Sequence, residues 1–140
     1  MKRILILMLL LVFGSTATVM AGGYNYVVPD QFRQWLEKGK DMTLVDIQVP
    51  AEFTQHHFKA ALETGAYPVK SAADKQKLDA VITGLSATQN DVVIVCPRGG
   101  GGAKNTFDYL KEKGISEKRI FILKEGMQGW PYKALTVAGK

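Results

Sequence analysis

Apolar residues along this chain recur with two different periods. Short runs of β-branched and aliphatic residues, MTLVDI from Met42, VVIV from Val92 and RIFIL from Arg119, have the length and composition of strands buried on both faces. Between them, apolar residues return every three or four positions. Phe32, Trp35 and Leu36 make a stripe in a helix that Pro29 opens and Gly39 stops. Ser71 and Asp74 have capping-box spacing ahead of a helix through Leu78, Val81 and Ile82 to Gly84. Ala103, Phe107 and Leu110 share one face of a third helix, with Gly114 placed to cap it. Ala51 to Phe58 reads as a short helical turn and Gly126 to Trp130 as a last one. Strands alternating with helices over short links define an α/β domain with a mainly parallel sheet, in which ligands collect at the carboxyl ends of strands.

Only the first residues break this pattern. Lys2 and Arg3 precede ILILMLLLVF, and small residues follow up to Val19, Met20 and Ala21. A basic start, an apolar stretch short for a bilayer and a small-residue end describe a cleavable secretory signal over residues 1–21; the other reading is an uncleaved membrane anchor. The expected mature chain, residues 22–140, is one soluble, exported domain, periplasmic in a Gram-negative cell and secreted otherwise, with no stable membrane association. Losing Lys2 and Arg3 lowers the formal charge from +5 to +3. Its basic residues are spread along helices, which speaks against a nucleic-acid surface.

The chemistry concentrates between Asp91 and Lys113. Cys96, the single cysteine, ends a buried strand; Pro97, Arg98 and four glycines, Gly99, Gly100, Gly101 and Gly102, follow before the helix expected from Ala103. Glycine amides, a helix N-terminus and Arg98 all favour an anion here, and on the same grounds favour thiolate over thiol. A lone cysteine excludes an intramolecular disulfide and, in an exported protein, either pairs between chains or stays reactive. A Walker-type nucleotide loop needs Gly before its Lys and Ser or Thr after it, but Ala103 and Asn105 flank Lys104. Cysteine phosphatases carry an arginine six positions after the nucleophile; that position is Gly102, and Arg98 comes too early. A persulfide needs only a compact ring of amide donors, which a glycine loop can supply. An inert buried cysteine is the plain alternative. Asp46 reads as a turn-former that accepts local amides. The adjacent His56 and His57 point apart and have no ligand-spaced partner, so they read as structural, and no metal is expected.

In order and spacing, TLVDIQVPAEFTQHHFKAA, VIVCPRGGGGA and DYLKEKGI with IFILKEGMQGW resemble the single-domain rhodaneses, the thiosulfate sulfurtransferase-like family, over about Val27 to Leu135. The resemblance implies a three-layer α/β fold with helices on both faces of a mainly parallel sheet. It implies a persulfide on Cys96, formed from thiosulfate or polysulfide and passed to a thiol or cyanide, with no metal or organic cofactor. Arg98 and Gly99 to Gly102 would bind the sulfur anion, while Asp46, Glu52 and His57 stay structural. Gln48 replaces a usual Arg, Glu125 a frequent Gly, and Gly101 and Gly102 a common Arg and Ser or Thr. The other readings are a non-catalytic rhodanese-like binding module and a relative of the phosphatases and arsenate reductases.

Overall fold

The computed structural model describes residues 19–21 and 23–140. The leader expected over residues 1–21 therefore lies outside the described residues, apart from the backbone of its last three. These form β1 (Val19–Ala21), which pairs antiparallel with β2 (Tyr24–Val27). The chain continues through α1 (Pro29–Glu37), β3 (Met42–Asp46), α2 (Pro50–Gln55), β4 (His57–Phe58), β5 (Leu62–Glu63), α3 (Ala72–Ser86), β6 (Asp91–Val95), α4 (Gly101–Glu112), β7 (Ile120–Leu123) and β8 (Thr136–Val137). The main sheet has the order β1-β2-β7-β6-β3-β5, and every pairing after the first is parallel. β4 and β8 form a separate antiparallel pair.

Alternation along the central strands builds two cores. Val92, Ile94 and Cys96 point to one face, where Val45, Ile47, Ile120 and Ile122 meet Leu78 and Leu85 of α3 and Phe107 and Leu110 of α4. Val93 and Val95 point to the other, against Leu44, Leu123, Phe32 of α1 and Trp130. Phe32, Phe58 and Trp130 meet edge to face at 5.0 to 5.5 Å. The domain is the expected three-layer α/β arrangement, with β6 at its centre.

Most elements form where the sequence places them. The capping box is complete: Asp74 N–H donates to Ser71 Oγ at 3.1 Å, and Ser71 N–H donates to the Asp74 carboxylate at 3.2 Å. Three expectations are corrected. The α3 helix runs past Gly84 to Ser86, because nothing in an interior glycine ends a helix whose neighbours still pack. The helical turn expected over residues 51–58 stops at Gln55, and His57 and Phe58 become a strand because β8 offers a partner from the far end of the chain. The Gly126 to Trp130 segment is a succession of turns without a helix, since two of its amides leave the local ladder to bond the Cys96 loop.

Candidate active site

Cys96 is the first residue beyond β6, a strand flanked on both sides by parallel neighbours, β3 and β7. There the chain leaves the sheet and turns back into α4. Gly99 makes that turn possible: its φ is +73°, and a methyl group on it would lie 2.7 Å from the Glu125 nitrogen. The turn carries the following amides round the sulfur. Gly99 N–H donates to Cys96 Sγ at 2.6 Å, and the amides of Arg98, Gly100 and Ala103 also bear on it. The sulfur thus sits at the N-terminus of α4, where the first amides have no carbonyl of their own helix to bond.

The glycines divide by position. Gly99 and Gly100 belong to the loop, whereas Gly101 and Gly102 already form the first turn of α4, two residues ahead of the expected start at Ala103. Helix N-termini tolerate this because their amides need no internal partner. Gly102 is buried against Tyr67, whose ring carbon would lie 2.8 Å from a methyl group there, and its carbonyl accepts the Thr106 hydroxyl at 2.8 Å. The Arg98 side chain lies on the exposed surface.

The second correction at this site is electrostatic. Cys96 is 1% exposed, and burial pushes its thiol above the ordinary value; the amides of Gly99, Arg98, Gly100 and Ala103 pull the other way without overcoming it. The expected preference for thiolate is therefore not met at Cys96. An anionic donor arriving at the loop would meet donors already oriented by the backbone.

A second segment holds the loop from behind. Met127 N–H donates to the Cys96 carbonyl at 2.8 Å and Gln128 N–H to that of Pro97 at 2.9 Å. Gly126, at φ +62°, makes this approach possible: a methyl group there would collide with the Cys96 carbonyl oxygen and lie 2.6 Å from the Arg98 nitrogen. Neighbouring Glu125 has a φ of +66°, a left-handed conformation that side chains disfavour. Ala103, Gly126, Met127 and Gln128 were not singled out for the site by sequence. The glycine-bounded GMQG segment was visible, but its pairing with the cysteine loop was not.

Asp46 behaves as a turn-former. Gln48 N–H donates to Asp46 Oδ1 at 2.9 Å, and the Gln48 side-chain amide donates to Oδ2 at 3.0 Å and to the His56 carbonyl at 3.1 Å. Asp46 and Gln48 are both buried, and burial pushes the Asp46 carboxyl up to about 6, against the bonds from Gln48 and the nearby His57. The His57 ring stacks on Phe53 at 4.0 Å, with Nδ1 2.9 Å from the Phe53 carbonyl oxygen. His56 and Glu52 line a small cleft of about 160 Å³ beside Gln48 and Lys133. Among the described residues no three His, Cys, Asp or Glu side chains are grouped to hold a metal ion.

A strand, a cysteine and an amide-lined loop opening a helix, in this topology, define a family. Residues 28–133 match the rhodanese-like domain model, and the chain belongs to that family. Comparison with curated protein sequences gives no match. Among solved structures, the fold is similar to that of Saccharomyces cerevisiae Ygr203w, described as a homolog of single-domain rhodanese and the Cdc25 phosphatase catalytic domain. That match has TM-score 0.63 and 15% identity, covering 82% of this chain and 88% of that one. A thiosulfate sulfurtransferase from Pseudomonas aeruginosa matches with TM-score 0.57 and 21% identity, covering 81% of this chain but 19% of its own. An As-Sb reductase from Leishmania major matches with TM-score 0.60 and 12% identity, covering 81% and 84%. At these identities the likeness is one of fold.

Proposed function

We propose that the protein is an exported sulfurtransferase working through a persulfide on Cys96. The reading is carried by the convergence of main-chain donors on one sulfur: the amides of Gly99, Arg98, Gly100 and Ala103 all bear on Sγ. In the first half-reaction, Cys96 thiolate attacks the outer sulfur of thiosulfate or a polysulfide. The new S–S bond forms as the donor's S–S bond breaks, and sulfite or a shortened polysulfide leaves with the electron pair. The outer sulfur of Cys96–S–S⁻ then rests among the amides. In the second half-reaction, a thiolate or cyanide attacks that sulfur and returns the electron pair to Cys96. Arg98, exposed at the loop, adds positive charge for the incoming dianion. Neither half-reaction calls for a metal or organic cofactor. The apolar leader with its small-residue end supports export.

The lack of an arginine at Gly102 argues against phosphoryl or arsenate chemistry, because no side chain there can clamp a tetrahedral oxyanion. One observation favours a second reading, a binding module without turnover: the thiol is buried and its pKa is raised. Intact-mass measurement separates the two. Incubation with thiosulfate is expected to add about 32 Da, one sulfur atom held as a persulfide, and Cys96→Ser to abolish the adduct. An unmodified wild-type chain, with partner binding unaffected by Cys96→Ser, would establish the binding module instead.

A further inference from the structure

Four consecutive glycines let the Cys96 loop approach its neighbours closely, but they leave it without stiffness of its own. Residues 99–102 carry no Cβ and have no side chains with which to fix their amides. Donors that stabilise a developing charge must be held in place beforehand. The 126–128 segment holds the near end of the loop, at the carbonyls of Cys96 and Pro97. At the far end, Gly101 and Gly102 open α4, and Ala103, whose amide bears on Cys96 Sγ, follows directly. Tyr67 meets this far end. Its Cδ2 and Cε2 would lie 2.8 and 3.0 Å from a methyl group on Gly102, so the ring fills the space that a side chain there would take. Its backbone is tied to the other end of the loop. Val95, the residue before Cys96, accepts from Ile47 N–H at 2.9 Å, and the Ile47 carbonyl accepts from Tyr67 N–H at 2.9 Å. The turn that carries Tyr67 is fixed on both flanks: Thr64 Oγ1 donates to the Asp46 carbonyl at 2.9 Å, and Asn105 Nδ2 of α4 donates to the Pro68 carbonyl at 3.3 Å. It ends at Val69, buried at φ +59°, a left-handed conformation that a β-branched residue keeps only where its surroundings impose it. The hydroxyls of Tyr24, Tyr109 and Tyr132 each donate to a carboxylate, whereas that of Tyr67 has no partner among the described residues.

Resting on the sulfurtransferase reading, we infer that Tyr67 is a positioning residue of the Cys96 site: its ring, acting through Gly102, keeps the first turn of α4 closed and the Ala103 amide on the sulfur. It supplies from outside the loop the stiffness that a side chain at position 102 would supply from within. The ring does this rather than the hydroxyl, because the contact is made by Cδ2 and Cε2. During transfer, negative charge moves from Sγ onto the outer sulfur. An amide that has drifted must be brought back before it can stabilise that charge, and this cost falls on turnover rather than on binding. Because the ring and a side chain at 102 compete for one space, substitutions at the two positions are coupled. Removing the ring opens the space and adding a methyl overfills it, whereas doing both refills it.

The test is sulfur transfer from thiosulfate to cyanide by full-length protein, at a temperature well below each variant's unfolding midpoint. Tyr67→Phe should keep kcat within about twofold of wild type. Tyr67→Ala should lower kcat about tenfold with KM nearly unchanged, since complete loss of such a donor costs on the order of a hundredfold. Gly102→Ala should also lower kcat, because its methyl overlaps the ring. Added to Tyr67→Ala, the same substitution should instead raise kcat, its remaining neighbour being the movable end of Ile47 at 3.2 Å. Amide hydrogen exchange gives a readout without turnover: Tyr67→Ala should speed exchange at Ala103 more than at Val93 and Ile94, in the middle of β6. If Tyr67→Ala does not fold, Tyr67→Leu takes its place, with a side chain too short to reach where the outer ring carbons lie. Wild-type kcat in Tyr67→Ala, additive losses in the double variant, or Tyr67→Phe as poor as Tyr67→Ala would each overturn the assignment. Failure of wild type to load sulfur would instead overturn the sulfurtransferase reading, with exchange at Ala103 still deciding the role of Tyr67.

Discussion

Replacing Gly126 by alanine adds one methyl group, and its effect follows from two observations. At φ +62° an alanine sits in the left-handed region, which disfavours L-residues by about 1–2 kcal/mol. The methyl would also collide with the Cys96 carbonyl oxygen and lie 2.6 Å from the Arg98 nitrogen and 2.7 Å from the Pro97 carbonyl carbon. All three are backbone atoms, so relief requires the loop and the 125–129 segment to separate. Separation stretches the bonds from Met127 to Cys96 and from Gln128 to Pro97, now 2.8 and 2.9 Å, each contributing about 0.5–1.5 kcal/mol. Together the losses come to roughly 2–5 kcal/mol. Urea unfolding monitored by tryptophan fluorescence should show a lower midpoint with an unchanged slope, because the same surface is exposed on unfolding. Persulfide formation measured well below the new midpoint should also fall, because the Arg98 amide moves with the loop. Gly84→Ala is the internal control. It lies inside α3 with nothing within 4 Å of the new methyl, and should stabilise by about 0.5–1 kcal/mol. If Gly126→Ala unfolded at the wild-type midpoint, the claim that the GMQG segment braces the cysteine loop by close backbone contact would be refuted.

Other expectations follow from single residues. Because the folded Asp46 carboxyl is raised from 3.8 to about 6, the folded state holds its proton more tightly than the unfolded chain. Its contribution is fully present below about pH 4 and is lost as pH rises through 6. At 1.36 kcal/mol per unit, roughly 3 kcal/mol disappears across that window. Asp46→Asn should flatten this slope, and a wild-type-minus-variant stability difference constant from pH 4 to 7 in urea titrations would contradict it. Glu125→Gly should relieve the left-handed strain at φ +66° and stabilise by about 0.5–1 kcal/mol despite added chain entropy; a lower thermal midpoint would count against strain there. Sulfur loading by Cys96 should keep quickening as pH rises through the ordinary thiol range and beyond it, because burial holds the thiol protonated there, and a rate that does not change with pH across that range would contradict that burial.

What the sequence discloses is what local chemistry decides. Val92–Val95 is apolar at every position and lies at the sheet centre, and Ser71 and Asp74 form their box because both partners are three residues apart. Cys96 falls at the strand's end for the same local reason. Elements that need a distant partner are hidden: His57–Phe58 is a strand only because Thr136–Val137 pairs with it, and Leu62–Glu63 only because β3 has a free edge. The site divides likewise. Loop amides were legible, but Ala103 joins them because the helix begins two residues early, and Gly126 matters because Glu125 to Gln128 folds back on the loop from about 30 residues away. The thiol's raised pKa was beyond sequence, since it depends on how completely the loop and the core on that face of the sheet bury the sulfur.

The hairpin between Val19–Ala21 and Tyr24–Val27 closes one rim of the main sheet. Were a peptidase to cut after Ala21, it would have to take the preceding residues into its own groove as an extended strand, and here those residues are bonded to Tyr24–Val27. Such a cut and this pairing would exclude one another, and the cut would leave Tyr24–Val27 as the outermost strand, its vacated amides and carbonyls open to water or to another extended chain.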